Sequence, residues 1–193
     1  MRENRPMPGP SEGVAPWLAE KLFDRRVVML TGVITGGSAS QAAASLLTLD
    51  ALGTEPVHLH LSAPEGDLNA AFAVVDAVDA MRCELHATVT GEAGGAAVAV
   101  LAAAHRRLAY RHARIRLTEP RSATVAGTAD EVASAAGRYL RELEELAVRL
   151  AEVTGQARSR IESDLSAGKM LTAAEAVEYG LVHQVVGRND RAE

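Results

Sequence analysis

The stretch LHATVTGEAGGAAVAVLAAA, from Leu85 to Ala104, decides the fold class of this chain of 193 residues. It opens with an alternating apolar run, Leu85 to Thr90, which is typical of a strand, and it closes with an alanine-rich segment, Gly95 to Ala104, which favours a helix. Between the two, the sequence predicts a tight turn of small residues, Gly91 to Gly94. Many hydrolases hold their nucleophile where a strand turns sharply into a helix, yet this turn contains no serine, threonine or cysteine.

The middle of the chain continues the alternation between strand and helix patterns. Further strands are predicted at Arg26 to Ile34, Val57 to Ala63, Arg107 to Tyr110 and Ala113 to Thr118. Further helices are predicted at Ser40 to Leu52 and Asp67 to Met81. Parallel strands need long connections and helices supply them, so the alternation predicts an α/β fold with parallel strands and right-handed crossovers.

Composition narrows the class of protein further. The chain is 48% hydrophobic with a net charge of -5, which is enough for one core and gives no electrostatic footprint for nucleic acid. No apolar run reaches the roughly 18 residues of a membrane span, and the first residues lack the apolar core of a secretory signal, so we expect a cytoplasmic protein. Cys83 is the single cysteine, which excludes an internal disulfide and a cysteine-based zinc site and predicts a small buried side chain.

A long helix is predicted at about 128–154. Thr128 and Glu131 form a capping box at its start, and Gly155 is a stop signal at its end. Such a helix is on the order of 38 Å long, which is more than a small core needs, so we expect it to project from the domain and meet a partner. Its apolar stripe consists of Val132, Ala136, Leu140, Leu143, Ala147 and Leu150. Its opposite face is predicted to carry ion pairs four residues apart: Arg138 with Glu142, Arg141 with Glu145, and Glu145 with Arg149.

Four further segments complete a resemblance to a known family: RRVVMLTG at 25–32, TEP at 118–120, TGQ at 154–156 and LTAAEAVEYGLV at 171–182. With the strand, turn and helix at 85–104, they resemble ClpP, the proteolytic subunit of the caseinolytic protease, from about Leu22 to Val186. The resemblance implies a superhelix of β-β-α units with a projecting handle helix, and two stacked seven-membered rings around a chamber. It places a ClpP-like domain at 19–187, after a Pro- and Gly-rich segment, 1–18, that we expect to be flexible, and before a polar tail, 188–193.

The same resemblance implies that the catalytic residues are missing. The family's serine, histidine and aspartate fall on Gly95, Thr118 and Gly168, which leave no nucleophile, base or orienting acid. The oxyanion-hole positions fall on Glu65, Gly66 and Ala96, and a carboxylate at Glu65 opposes the negative charge that such a hole stabilises. The resemblance therefore predicts a noncatalytic ring subunit that needs no cofactor or metal and forms rings alone or with active ClpP paralogues.

Partner docking is expected to differ as well. The tyrosines with which the family lines an apical cleft for its unfoldase ATPase are replaced by His58 and His60. Imidazoles offer less apolar contact area than phenols and charge near pH 6, so we expect docking of the ATPase to be weak.

Two alternatives remain open from the sequence. The first is an active peptidase with a relocated site, for which the candidates are Ser62, Asp67, His86, His105, His112 and Glu119. The second is a crotonase-type acyl-CoA enzyme, a superfamily that shares the LTAAEA capping box, with Glu92 and Glu119 as acid or base groups. No signature for binding CoA accompanies them.

Overall fold

The fold is built on a largely parallel sheet. The computed structural model describes residues 15–120 and 126–187. Its strands are β1 (Val27–Ile34), β2 (Val57–Gly66), β3 (Leu85–Gly94), β4 (Arg106–Tyr110), β5 (Arg114–Leu117), β6 (Lys169–Thr172) and β7 (Gln184–Val186). The order β1-β2-β3-β4-β7 is parallel throughout, β5 pairs in parallel with the end of β3, and β6 pairs with β5 in the antiparallel sense.

Helices connect the strands and form the second layer. They are α1 (Pro16–Asp24), α2 (Gly36–Leu52), α3 (Leu68–Ala80), α4 (Ala96–Ala103), α5 (Ala129–Thr154), α6 (Arg158–Ala167) and α7 (Ala173–Glu178). Side chains at Thr35, Asp67, Thr128 and Thr172 cap α2, α3, α5 and α7 by accepting a hydrogen bond from a backbone N–H of the first turn. Helix α4 has no such cap, because its N-terminal position is Gly95.

One face of the sheet is buried under helices and the opposite face is largely open. In β2, Val57, Leu59 and Leu61 are fully buried, whereas His58 is exposed and His60 is half-buried. Helices α2 and α4 pack on the buried face, and α3 contacts both of them. The alternation of side chains along a strand thus places the two histidines on the face away from the helical layer.

The predicted α/β class with parallel strands is confirmed, with two corrections to the strands. Both β2 and β3 continue beyond their predicted ends, so the segment from Gly91 to Gly94 belongs to β3 and is not a turn. Glycine is depleted in strands, but a β-carbon built at Gly91 would lie 2.6 Å from the Ser62 side-chain oxygen, and one at Gly94 would overlap the Pro64 carbonyl oxygen. The close approach of β2 to β3 therefore requires glycine at position 94, where the neighbour is a backbone carbonyl, whereas the Ser62 side chain beside Gly91 can rotate away.

The domain boundaries are only partly covered by the described residues. Of the predicted flexible segment 1–18, residues 1–14 lie outside the described part, and Pro16 to Leu18 already belong to α1. Helix α1 thus spans the predicted boundary at residue 19, and the division of the chain into these three parts stays a prediction. The predicted tail 188–193 lies outside the described residues.

Helix α5 is observed where the long helix is predicted, and its two halves differ. In the first half, Val132 is 44% and Leu140 is 63% exposed, and Ala136 is exposed as well. In the second half, Ala147 and Leu150 are buried within the chain, and Leu143 lies partly buried between the halves. The stripe was expected to be available to other subunits along its length, but its last part belongs to the domain's own core.

Polar contacts fix the C-terminal half of α5, which we call its base, to the rest of the domain. Arg149 binds Asp79 of α3 through two hydrogen bonds of 2.6 and 3.2 Å, and Asn69 of α3 donates to Glu142 at 3.3 Å. Glu142 and Arg149 are therefore engaged by α3 and not by the predicted partners along α5. These contacts anchor the second half of α5 to the domain, and in the first half the Tyr139 hydroxyl donates to the Pro120 carbonyl at 2.7 Å.

Candidate functional site

Gly95 forms the sharp connection between β3 and α4. Its backbone has φ 53° and ψ -117°, a conformation that glycine adopts freely and other residues adopt only under strain. Its N–H donates to the Arg116 carbonyl at 3.3 Å, which holds the connection against β5. A β-carbon built at Gly95 would lie 3.4 Å from the Pro120 α-carbon and 3.8 Å from the Thr118 methyl group. A side chain at this position would therefore have room and would point toward Thr118.

The fold brings Gly95, Thr118 and Gly168 together. Thr118 directly follows β5, and Gly168 ends α6 with φ 68° before the chain enters β6. A β-carbon built at Gly168 would lie 3.9 Å from the Thr118 hydroxyl oxygen. The antiparallel pairing of β5 with β6 and a 3.2 Å hydrogen bond from the Glu119 N–H to the Leu165 carbonyl hold the two segments together. Thr118 thus lies between the two glycines.

A pocket of about 130 Å³ opens at this point. It is lined by Pro64, Glu65, Gly66, Gly95, Arg116, Thr118, Glu119 and Pro120. Two of the predicted oxyanion positions, Glu65 and Gly66, are therefore beside Gly95, at the end of β2. The third, Ala96, is the first residue of α4 and is fully buried beside the pocket.

An ion pair beside the pocket was not predicted from the sequence. The Arg116 guanidinium contacts the Glu92 carboxylate at 2.9 Å and also donates to the Pro64 carbonyl at 3.2 Å. It thereby joins the ends of β2, β3 and β5. The alternation of apolar and polar residues in β5 places Arg116 on the same side of the strand as Thr118, but nothing in that pattern identifies Glu92 as its partner.

A second pocket, of about 270 Å³, adjoins the first at Glu119. The predicted handle residues Leu140, Leu143 and Ala147 line it together with Leu165. Its charged residues are Glu119, Glu144, Glu162 and Arg158. We call the two pockets together the Glu119 groove.

The two histidines of the predicted docking cleft lie on the open face of the sheet. The His58 ring meets the His86 ring edge to face with 5.4 Å between centroids, and His86 contacts the Glu84 carboxylate at 3.0 Å. Burial lowers the pKa of His58 below its ordinary value, and the neighbouring His86, His60 and Arg26 lower it further. Burial also lowers the pKa of His60. The folded chain thus favours both rings in the neutral state.

The candidates for a relocated catalytic site are not assembled into one. Asp67 accepts the Ala70 N–H at 2.8 Å as the cap of α3, and the His105 ring accepts the Leu85 N–H at 3.2 Å. Within the described residues, no histidine ring shares a hydrogen bond with a serine or threonine hydroxyl. Ser62 faces Gly91 across β2 and β3.

Residues 15–120 and 126–187 hold no cluster of three or more histidine, cysteine, aspartate or glutamate side chains arranged for a metal ion. None of their helices combines the length and the apolar character that crossing a membrane requires.

Comparison with known proteins gives concordant matches over most of the chain. A family model described as Clp protease matches residues 12–189. The chain is 30% identical over 169 residues to the ATP-dependent Clp protease proteolytic subunit 2 of Streptomyces coelicolor, which covers 86% of this chain and 78% of that one. It is also 30% identical to subunit 1 of Rhodococcus jostii, with 86% and 77% covered. A proteolytic subunit from Streptococcus pneumoniae is 29% identical over 173 residues, 88% of either chain.

Proposed function

This chain belongs to the Clp protease family, and on that basis we propose that it is a noncatalytic subunit that forms rings, alone or with active ClpP paralogues. The observation that carries the proposal is that Thr118 lies between Gly95 and Gly168, and that Gly95 and Thr118 line one pocket. These are the residues that stand where the family has its serine, histidine and aspartate.

The chemistry of those three residues supports the proposed inactivity. Glycine at 95 offers no oxygen to attack a peptide carbonyl, so no acyl-enzyme forms. A threonine hydroxyl at 118 is not a base near neutral pH, and glycine at 168 cannot orient an imidazole. Glu65 adds a carboxylate to the lining of the pocket, where it disfavours a developing oxyanion.

The two alternatives have less support. A relocated hydrolase needs a hydroxyl activated by a base, and the hydrogen bonds of the His86, His105 and His183 rings go to other groups. A crotonase-type enzyme needs room for an acyl-CoA, whereas the pocket beside Gly95 has about 130 Å³ and typical small-molecule sites have roughly 300 to 1,000 Å³. Glu92, one of its candidate acids, is engaged by Arg116.

Activity is tested with a fluorophosphonate probe and a fluorogenic peptide. The parent should be unlabelled and should not cleave the peptide, because labelling requires a nucleophilic hydroxyl. The parent is compared with two variants. The threefold variant combines Gly95→Ser, Thr118→His and Gly168→Asp, and the fourfold variant adds Glu65→Gly. Labelling should be greatest in the fourfold variant. Labelling of the parent that disappears when one native serine or threonine is replaced would refute the proposal.

Assembly is supported by the exposed first half of α5. Val132 and Leu140 are apolar, exposed and carried on a helix that extends from the domain, so burial against another subunit removes them from water. Sedimentation velocity should detect a ring or double ring of the chain alone or mixed with an active ClpP. Leu140→Glu should shift the distribution to smaller species, whereas Ser134→Glu, exposed elsewhere on α5, should not. A monomer under all conditions would contradict this part of the proposal.

Weak docking of an unfoldase ATPase is the third part of the proposal. His58 and His60 give the open face of β2 less apolar area than two tyrosines would. Calorimetry with a peptide that mimics the ATPase loop should give much weaker binding to the parent than to the His58→Tyr, His60→Tyr double variant. Equal and tight binding to both would show that these side chains do not control docking.

A further inference from the structure

Strand β1 lies at one edge of the sheet, with β2 as its neighbour on the inner side. The His58 N–H donates to the Arg26 carbonyl at 2.9 Å, which fixes the residues of this segment that face β2. The backbone groups of a strand face its two sides alternately, so the outward N–H and C=O groups belong to Val27, Met29 and Thr31. Among the described residues, no other segment shares a hydrogen bond with these groups. They form the unpaired row that is typical of an edge strand.

A groove of about 440 Å³ runs along this edge, and we call it the β1 groove. Five consecutive residues of β1, 27–31, line it. Successive side chains of a strand point to opposite faces of the sheet, so five in a row line one groove only when the backbone edge faces it. Helix α1 supplies an apolar wall of Ala19, Leu22 and Phe23, and α2 supplies Ala42 with serine and glutamine side chains. Unpaired backbone groups beside side-chain pockets are the combination that binds an extended chain as an added strand.

The segment RPMPGPS at 5–11 has proline at every second position. A residue before proline is restricted to extended conformations, which applies here to Arg5, Met7 and Gly9. Proline has no N–H, and within sheets it is tolerated at an edge where its nitrogen faces solvent. In an extended chain the N–H groups of Arg5, Met7 and Gly9 therefore point to one side, while the prolines leave the other side without a donor. The sequence of this segment favours a strand that pairs on one side only.

We propose that residues 5–11, which precede the described part of the chain, lie in the β1 groove of the same chain as an added strand. Their N–H groups recur at every second residue, as do the outward groups of β1. The connection is long enough, because residues 12–15 span up to about 13 Å when extended and Ala19, one turn into α1, already lines the groove. The prolines then face solvent and offer no donor to a further strand, which protects the sheet from edge-to-edge association. This inference is independent of the missing catalytic groups.

Hydrogen–deuterium exchange measured by mass spectrometry tests the inference on the full chain. One double variant, Met7→Pro with Gly9→Pro, removes two N–H groups from the pairing side. The matched control, Met7→Ala with Gly9→Ala, changes the same positions and keeps both groups. In the parent and the control, the three outward amides of the peptide spanning 27–31 should be protected. In the proline variant they should exchange at least about tenfold faster, while peptides from α3 stay unchanged.

The outcomes separate the possible occupants of the β1 groove. Rapid exchange of the β1 edge in the parent, or equal protection in all three proteins, overturns the inference, since residues 5–11 would then not cover the edge. Loss of protection in both variants overturns strand pairing, because the control keeps its N–H groups. An isotope-labelled proline variant mixed with the parent should stay unprotected. If it regains protection, the added strand comes from a neighbouring subunit and pairing within one chain is wrong.

Discussion

Replacing Gly95 by alanine should destabilise the domain through its backbone alone. The position has φ 53° and ψ -117°, where a residue with a β-carbon is strained by about 1 to 3 kcal/mol. Steric crowding adds little, because the nearest atom to a built β-carbon is the Pro120 α-carbon at 3.4 Å, an ordinary contact. The expected loss in free energy of unfolding is therefore about 1 to 3 kcal/mol.

Two other glycines serve as matched controls for Gly95→Ala. At Gly94 a β-carbon would overlap the Pro64 carbonyl oxygen, and since this oxygen belongs to the backbone and cannot rotate away the expected loss is about 3 kcal/mol. At Gly137, within α5, the nearest atom is the mobile Arg141 side chain at 3.6 Å, so alanine should stabilise by about 0.5 to 1 kcal/mol. The three substitutions are chemically identical and differ only in their surroundings.

Urea unfolding followed by far-UV circular dichroism measures all three variants at one protein concentration. The expected order of stability is Gly137→Ala, parent, Gly95→Ala, Gly94→Ala. A Gly95→Ala variant as stable as the parent would refute the reasoning, since the connection would then not be strained for a residue with a side chain. A serine restored at this position carries the same strain, so reactivated variants should also be less stable.

Three further predictions concern titration and burial. The folded chain lowers the pKa of His58 and His60 from about 6.5, so the unfolded chain binds protons first as the pH falls. The free energy of unfolding should therefore decline below about pH 6.5 and stay flat above it. Replacing both His58 and His60 by glutamine should reduce this decline. Arg107→Met should lower the free energy of unfolding by about 2 to 4 kcal/mol in the same urea assay. The buried Arg107 guanidinium donates to the backbone carbonyls of Leu181, Ala104 and Val153, and these three carbonyls would lose their donor. Cys83 should react with a thiol reagent only on unfolding, because burial raises its pKa and its thiol donates to the Gly53 carbonyl at 2.9 Å; rapid reaction of the native chain would contradict the structure.

Much of the fold is predictable because its signals are local. The strand and helix patterns depend on spacing along the chain, and the capping box of α5 is observed as predicted, with the Thr128 N–H donating to Glu131 at 2.7 Å. The segment from Gly91 to Gly94 could not be predicted in the same way. Glycine disfavours strands locally, and the close approach of β2 that requires it there is visible only in the tertiary structure.

The candidate site likewise combines features that the sequence predicts with features that depend on tertiary contacts. The positions Gly95, Thr118 and Gly168 were identified through resemblance, while their proximity depends on the pairing of β5 with β6. The ion pair of Arg116 with Glu92 joins residues 24 apart in sequence and gives no local signal of partnership. The stripe of α5 was identified correctly as apolar, but periodicity alone does not tell whether Ala147 and Leu150 meet the same chain or another.

The anchored base of α5 makes the helix a rigid lever. Arg149 with Asp79 and Glu144 with Arg158 hold the end near the core, while about 25 Å of helix lies between Ala129 and Glu145. A tilt of about 5° at the base displaces the free end by about 2 Å over that length. The same tilt moves Val132, about 20 Å from Glu145, by nearly 2 Å, whereas Leu140, about 8 Å from Glu145, moves by less than about 1 Å. The position of a subunit that packs against the start of α5 would therefore depend on the ion pairs of Arg149 and Glu144, which lie nearer the other end of the helix.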